Sequence, residues 1–260
     1  FEARGTIAEA EGKTLYLDAV TLRGVETIDS AKLDKNGAFA MHGARPATPE
    51  FYRLRLGSET VNFCIDSTET VTFNATAGKM ATAYTVEGSE GCEEMRQLTL
   101  MQLQLRRDID EIGSRNGMSP SQRQEAALAR INAYKQEVCQ RFIITNPGSA
   151  VAYYALFHSF ADGLVFNPVS DRTDVRYFAA VATAWDELYP DAERTQNLHN
   201  VALQGMANTR PARQDTLPID YSKIEVTGII NMTLDDPDGN PHSLSDLKGQ
   251  VVLLDFTAFV

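Results

Sequence analysis

Val86-Glu87-Gly88-Ser89-Glu90-Gly91-Cys92-Glu93-Glu94-Met95 is where the hydrophobic period of the chain changes. Upstream of it, from Phe1 to about Val86, apolar residues alternate with period two, so one face of each segment meets a core and the other meets water. Leu15-Tyr16-Leu17, Val25 to Leu33, Ala38 to Met41, Phe51 to Leu56, Val61 to Ile65 and Val71 to Phe73 are the expected strands. Asp34-Lys35-Asn36-Gly37 is the clearest turn, because Asn and Gly accept the positive φ of a tight hairpin. Short antiparallel strands at this spacing predict a β-sandwich or a curled sheet.

Downstream, Met95, Leu98, Met101, Leu105, Ile109 and Ile112 recur at steps of three and four and make one apolar helical stripe. A second helix opens at Ser119-Pro120, with Ser as N-cap, Pro in the first turn and Gln122 completing a capping box. Its stripe is Ala127, Ile131, Tyr134, Val138 and Phe142, and Asn146-Pro147-Gly148 stops it. A third helix is expected over Ala150 to Phe160, and a fourth carries Val175, Phe178, Val181, Trp185 and Leu188 before Pro190. A weaker fifth runs from Asp191 to Met206. Such helices pack as antiparallel neighbours in a small bundle. Pro211 and Pro218, among polar residues, mark a linker. The fold class expected is α+β: an antiparallel β-sandwich-like domain over 1–87, a helical bundle over 88–210, a linker over 211–227 and a C-terminal fragment over 228–260.

The bulk composition is that of a globular chain, with 260 residues, 43% hydrophobic and 23% charged. A formal net charge of -11 repels phosphate backbones, and the basic residues are scattered, so nucleic acid is excluded as an expected partner. No run approaches the roughly 18 to 20 apolar residues that cross a bilayer. The chain opens at Phe1 without a methionine, as does a chain trimmed of an upstream signal or lipid anchor. Cys64, Cys92 and Cys139 form no C-x-x-C, and at most one disulfide can join two of them.

The tail carries the most specific pattern. Leu234, Asp236, Gly239, then Ser243-Leu244-Ser245-Asp246-Leu247-Lys248-Gly249, then the apolar run Val251-Val252-Leu253-Leu254-Asp255-Phe256, resemble the approach to the active site of extracytoplasmic thioredoxin-like thiol–disulfide oxidoreductases of the ResA/TlpA, AhpC/TSA type. In that family the strand leads into W-A-x-W-C-x-x-C. Here the tryptophan positions hold Thr257 and Val260, and the chain ends one residue before the first catalytic cysteine is due. Ile230 and Met232 stand where the family usually has Pro and Phe. Pro237-Asp238-Gly239-Asn240 reads as a hairpin turn, and Val251 to Phe256, apolar on both faces, as a strand buried from both sides. A second likeness lies upstream. Ile28-Asp29-Ser30-Ala31, Asp34 to Phe39 and Phe51-Tyr52-Arg53-Leu54 are similar to the β-rich domain of unknown function that precedes such thioredoxin domains in exported proteins of Gram-negative gut bacteria. Asn146-Pro147-Gly148-Ser149 is similar to their middle region. The resemblance implies a periplasmic or outer-membrane, cell-envelope lipoprotein location. Asp29-Ser30-Ala31, Asp66-Ser67-Thr68 and Asp215-Thr216-Leu217 look like the O-glycan acceptor triplet of the same bacteria.

Candidate chemistry within the chain is sparse. Cys64 falls on the Asn62/Asp66 phase of its strand, opposite Val61, Phe63 and Ile65, and is expected to be partly exposed. Cys92 opens a helix, where the dipole favours a thiolate, and Cys139 flanks an apolar stripe and is expected to pack. For all three thiols an inert, packed role outweighs a reactive one. His42, His158, His199 and His242 lie in four segments without ligand spacing, so no zinc site is expected. Leu234 to Gly239 superficially follows a calcium loop but has Leu at the first ligand position and Ser245 at the twelfth, and so reads as a turn. Asp108, Asp110 and Glu111, like Asp186 and Glu187, read as solvated helix faces rather than acid–base pairs. Tyr153, Tyr154, Phe157, Tyr177, Phe178 and Trp185 sit at helical spacing and read as core. No phosphate loop and no G-x-S-x-G occurs. No catalytic, cofactor or metal residue is therefore assigned.

Two functions stay open from the sequence. One is the non-catalytic N-terminal portion of an exported thiol–disulfide oxidoreductase, positioning the redox domain or binding its client or redox partner. The other is an exported binding or envelope-associated protein whose thioredoxin-like domain has lost its cysteines, as Thr257 and Val260 suggest. A doubly apolar strand without sheet partners exposes backbone and hydrocarbon, so Val251 to Phe256 is expected to pair with the β-rich domain or with a second copy as a homodimer.

Overall fold

The structure is a computed structural model and describes residues 1–160, 163–210, 233–236, 238–247 and 249. The chain forms two compact units, Phe1–Pro211 and Ala212–Val260.

The first unit opens with eight strands: β1 (Glu2–Ala8), β2 (Thr14–Thr21), β3 (Gly24–Lys32), β4 (Ala38–His42), β5 (Glu50–Leu56), β6 (Glu59–Ile65), β7 (Thr70–Thr76) and β8 (Tyr84–Glu87). They make two four-stranded sheets, ordered β4-β1-β7-β8 and β3-β2-β5-β6. Alternation decides which side chains meet between them. Leu15 and Leu17 of β2, Tyr52, Leu54 and Leu56 of β5, and Val61, Phe63 and Ile65 of β6 pack with Ile7, Met41, Val71 and Phe73 of the other sheet in one buried cluster. The Phe63 and Phe73 rings lie 5.0 Å apart across this layer. The turn read at Asp34 forms as expected, with Asp34 Oδ1 accepting from the backbone N–H groups of Asn36 and Ala38. The sandwich departs from the all-antiparallel expectation at its centre, where β1 pairs with β7 in parallel. Strands β1 and β8 lie outside the segments expected from sequence, and β1 supplies the middle of the first sheet.

Five α-helices follow among the described residues: α1 (Glu90–Ser114), α2 (Pro120–Val138), α3 (Ala150–Leu156), α4 (Arg172–Leu188) and α5 (Glu193–Asn208). Their starts are set by capping side chains. Ser89 accepts from Cys92 N, Ser119 and Gln122 close the capping box, Ser149 accepts from Ala152 N, and Asp171 accepts from Thr173 N and Asp174 N. A π-helical turn, Cys139–Ile143, extends α2. The third helix is shorter than expected. It ends at Leu156 because Ser159–Phe160 (β9) pairs antiparallel with Gly163–Leu164 (β10), drawing the backbone out of the helical ladder. The helices share a buried core of Met95, Leu98, Tyr134, Phe142, Phe178 and Trp185, among others, and this core also includes Phe51 and Cys64 of the second sheet.

In the second unit, β11 (Thr233–Asp235) and β12 (Pro241–Ser243) form the expected hairpin. Asp236 closes its turn by accepting from the backbone N–H groups of Asp238 and Asn240, and a 3-10 turn follows at Leu244–Leu247. A two-stranded hairpin occurs in many folds and does not establish a thioredoxin-like domain. The linker over 211–227, the strand Val251 to Phe256 with its predicted pairing, Asp215 to Leu217, and Thr257 and Val260 lie outside the described residues. No helix among the described residues is long and apolar enough to cross a membrane.

Candidate functional site

The second sheet has one face on the sandwich core. Its other face, carrying Tyr16, Asp18, Phe51, Arg53, Arg55, Asn62 and Cys64, divides into a covered half and an open half.

The covered half lies under the helices. Phe51 stacks on Tyr153 with ring centroids 5.6 Å apart, and Asn62 Nδ2 donates to the Tyr154 hydroxyl at 3.0 Å. Arg194 of α5 is the strongest fastening. Its Nε donates to Glu50 at 2.9 Å, its Nη2 donates to the Val20 carbonyl, and its guanidinium lies 4.7 Å over the Phe51 ring. The aromatic residues read as core behave as core, with Tyr153 against Trp185 at 4.8 Å and Phe157 against Phe178 at 5.6 Å.

The open half is built around Asp18, whose side chain is only 1% exposed. It accepts from Arg55 Nε at 2.7 Å, Arg55 Nη2 at 3.1 Å, Arg53 Nε at 2.9 Å and Thr27 Oγ1 at 2.7 Å. The Arg55 hydrogen bonds, joined by those of Thr27 and Arg53, outweigh burial and hold the Asp18 carboxyl well below the usual carboxylate range. A bulge between β2 and β3, which moves the partner of Leu17 from the Asp18 register by one extra residue, sets Thr27 opposite Asp18. Arg55 also lies 4.4 Å over the Tyr16 ring. The outer edges of both guanidiniums reach solvent, at 28% and 29% side-chain exposure. The result is a rigid, basic, partly desolvated spot on a molecule of strongly negative charge. Arg53 and Arg55 share a face because they alternate with Tyr52, Leu54 and Leu56; that periodicity was visible in the sequence, whereas their convergence on Asp18 was not.

Cys64 is not partly exposed as expected from its strand phase. It is 1% exposed, because the face opposite Phe63 is itself covered by α1, with Tyr154 of α3 bonded to Asn62 on the same face. Cys92 is also buried, and its Sγ donates to the Cys64 carbonyl at 3.0 Å. The neighbouring Cys92 thiol, together with burial, pushes the Cys64 thiol well above the ordinary range. Beside them lies a cleft of about 250 Å³ bounded by Asp66, Glu69, Ser89 and Glu94. Burial first, then Glu69, raises Asp66, and burial with Glu90 raises Glu94. Cys139 packs in the π-helical turn, and burial pushes its thiol up to about 11.

The histidines remain dispersed. His42 is exposed near Glu2, His199 binds Asp186 at 2.8 Å, and His242 binds Asp236 at 3.0 Å. His158 is buried, with Nδ1 3.0 Å from the Tyr134 hydroxyl, and burial lowers it to about 4. Among the described residues no three His, Cys, Asp or Glu side chains come together as metal ligands. Asp108 ties α1 to α2 through Arg130 at 2.7 Å, and Glu111 pairs with Arg115 one turn away.

Residues 1–95 match the family model of a domain of unknown function (DUF4369). The match spans the sandwich and the first turn of α1, and so includes Asp18, Arg53, Arg55, Cys64 and Cys92. No curated protein and no solved structure matches the chain.

Proposed function

We propose that the chain is the non-catalytic N-terminal portion of an exported, cell-envelope thiol–disulfide oxidoreductase of the thioredoxin type. Its role in this reading is to hold the redox domain or to bind that domain's client. The observation that carries the reading is the DUF4369 match over residues 1–95, because this domain is commonly found at the N-terminus of thioredoxin-like proteins. The tail pattern from Leu234 to Phe256 agrees with it, and its hairpin turn forms where the pattern requires one. Binding would use the open half of the second sheet, where Arg53 and Arg55 offer preorganised donors to a carboxylate-bearing segment of the partner.

A second reading, a binding protein whose thioredoxin-like domain lacks redox cysteines, is favoured by Thr257 and Val260 at the positions of the family's tryptophans. Reading the gene past Val260 and assaying its product for insulin reduction separates the two. The first reading expects a C-x-x-C directly after Val260, turnover by the longer product, and none by the 260-residue chain. A gene without that motif leaves the second reading. Robust turnover by the 260-residue chain itself overturns both.

A further inference from the structure

Cys64 and Cys92 are 28 residues apart in sequence and meet where α1 docks on the second sheet. Cys92 sits in the first turn of α1, fixed there by the bond from its own backbone N–H to Ser89 Oγ. Its Sγ reaches across to the Cys64 carbonyl at 3.0 Å, which also places it beside the Cys64 thiol. Gly91 lets the first turn of α1 pack directly on the Cys64 sulfur, since a Cβ at that position would stand only 3.0 Å from Cys64 Sγ. Cys64, only 1% exposed, lies at the wall of the cleft that Asp66, Glu69 and Glu94 also line, so a small reagent in that cleft reaches its sulfur when the first turn of α1 opens. Cys139 is built into a different element, the π-helical turn after α2.

We propose that Cys64 and Cys92 are a dithiol pair, oxidised to an intrachain disulfide that fastens the first turn of α1 to β6. The oxidant is a disulfide, either a small molecule or the disulfide of another protein. Cys64, as thiolate, attacks one sulfur of the oxidant; the oxidant's S–S bond breaks, and its first sulfur leaves as a thiolate that takes up a proton. Cys92, deprotonated in turn, attacks the Cys64 sulfur of the mixed disulfide and expels the second sulfur, which is likewise protonated. One oxidant disulfide becomes two thiols, and two protein thiols become one disulfide. Burial beside a second thiol keeps Cys64 protonated at neutral pH, so the exchange is slow there and accelerates in alkali. This inference is independent of the reading of the tail and uses only residues 64–92.

The test takes the full chain, fully reduced, and incubates it with oxidised glutathione at mildly alkaline pH. It is then denatured, alkylated and weighed. The expected product carries one alkyl group in place of three and is two hydrogens lighter before alkylation, and its digest contains a peptide joining Cys64 to Cys92. Three alkyl groups, a glutathione adduct that never resolves, or a cross-link to Cys139 would each overturn the proposal.

Discussion

The two faces of the second sheet are closed in different ways. Toward the first sheet, Val61, Phe63 and Ile65 meet hydrocarbon from β1, β4 and β7, and no polar group is needed to set the register. Toward the helices, the same strands are held by directed contacts: Arg194 on Glu50 and Val20, Asn62 on Tyr154, and Phe51 stacked on Tyr153. Hydrophobic packing tolerates many solutions, whereas hydrogen-bonded fastenings specify one arrangement at a smaller net gain each. The inner face should therefore dominate stability, and the outer face should decide where the helices sit.

Phe63→Ala tests the larger half of that claim. Phe63 is fully buried between Tyr52 and Phe73, so truncation should cost about 3–5 kcal/mol, read as a lower urea midpoint. The single tryptophan, Trp185, lies in the helical core and reports on the other side of the sheet. If the two faces unfold as one unit, Trp185 fluorescence and far-UV circular dichroism shift together in the variant. A Trp185 transition that stays at the wild-type midpoint while the sheet melts early would separate the sandwich from the helices.

Acid attacks the covered and the open half of the outer face in a definite order. His158 titrates near 6.5 when unfolded and near 4 in the fold, because burial disfavours its charged form. Between those values the unfolded chain binds the extra proton, so stability is full above about pH 6.5 and falls as pH drops toward 4, by about 3 kcal/mol in all. His158→Gln should flatten this part of the stability–pH profile. Asp18 has the opposite chemistry and acts later. Its carboxyl is lowered in the fold, so its contribution is present above the ordinary carboxylate range and is lost only as pH falls below that. Denaturation midpoints across pH 7 to 3 should therefore show a first decline absent in His158→Gln and a second that persists in it.

Arg194→Met keeps the apolar stem and removes the donors to Glu50 and Val20. With a side chain only 7% exposed, the arginine is nearly desolvated, and its loss should cost about 2 kcal/mol. The effect should be larger in near-UV signals from Tyr153 and Trp185 than in far-UV signals from the strands. Equal loss in both would mean that α5 is held by hydrocarbon alone.

What could be read in advance follows the same division. Elements set by local chemistry were visible: the stripe from Met95 to Ile112, the capping box at Ser119 and Gln122, the turn at Asp34, and the hairpin turn at Asp236. Strand β1 was not, because Gly5 interrupts its alternation. That residue sits at φ 143° with β7 backbone so close that any side chain would strike Phe73, a requirement created by a partner about seventy residues away. The alternation in β6 puts Cys64 on the face it occupies but does not give its burial, because period two tells which residues share a face and not what covers it. The Asp18 cluster joins residues 35 and 37 positions apart, and no local period carries that pairing.

The smallest effect compares two caps of the same chemistry. Ser119 caps α2 at an exposed turn, accepting from Gln122 N while Gln122 returns a bond to its backbone. Ser89 caps α1 at the sheet, accepting from Cys92 N and donating to Glu69 at the rim of the cleft. Ser119→Ala leaves donors that water can reach and should cost about 0.5–1 kcal/mol. Ser89→Ala uncaps an N–H that is half-buried beside Cys64 and frees a carboxylate next to Asp66, so it should cost more, about 1–2 kcal/mol. If the two variants show equal urea midpoints, the start of α1 is held by its packing on β6 and the cap contributes no more there than in solvent. A larger loss for Ser89→Ala would make that cap one more of the directed contacts that set the helical layer against the sheet.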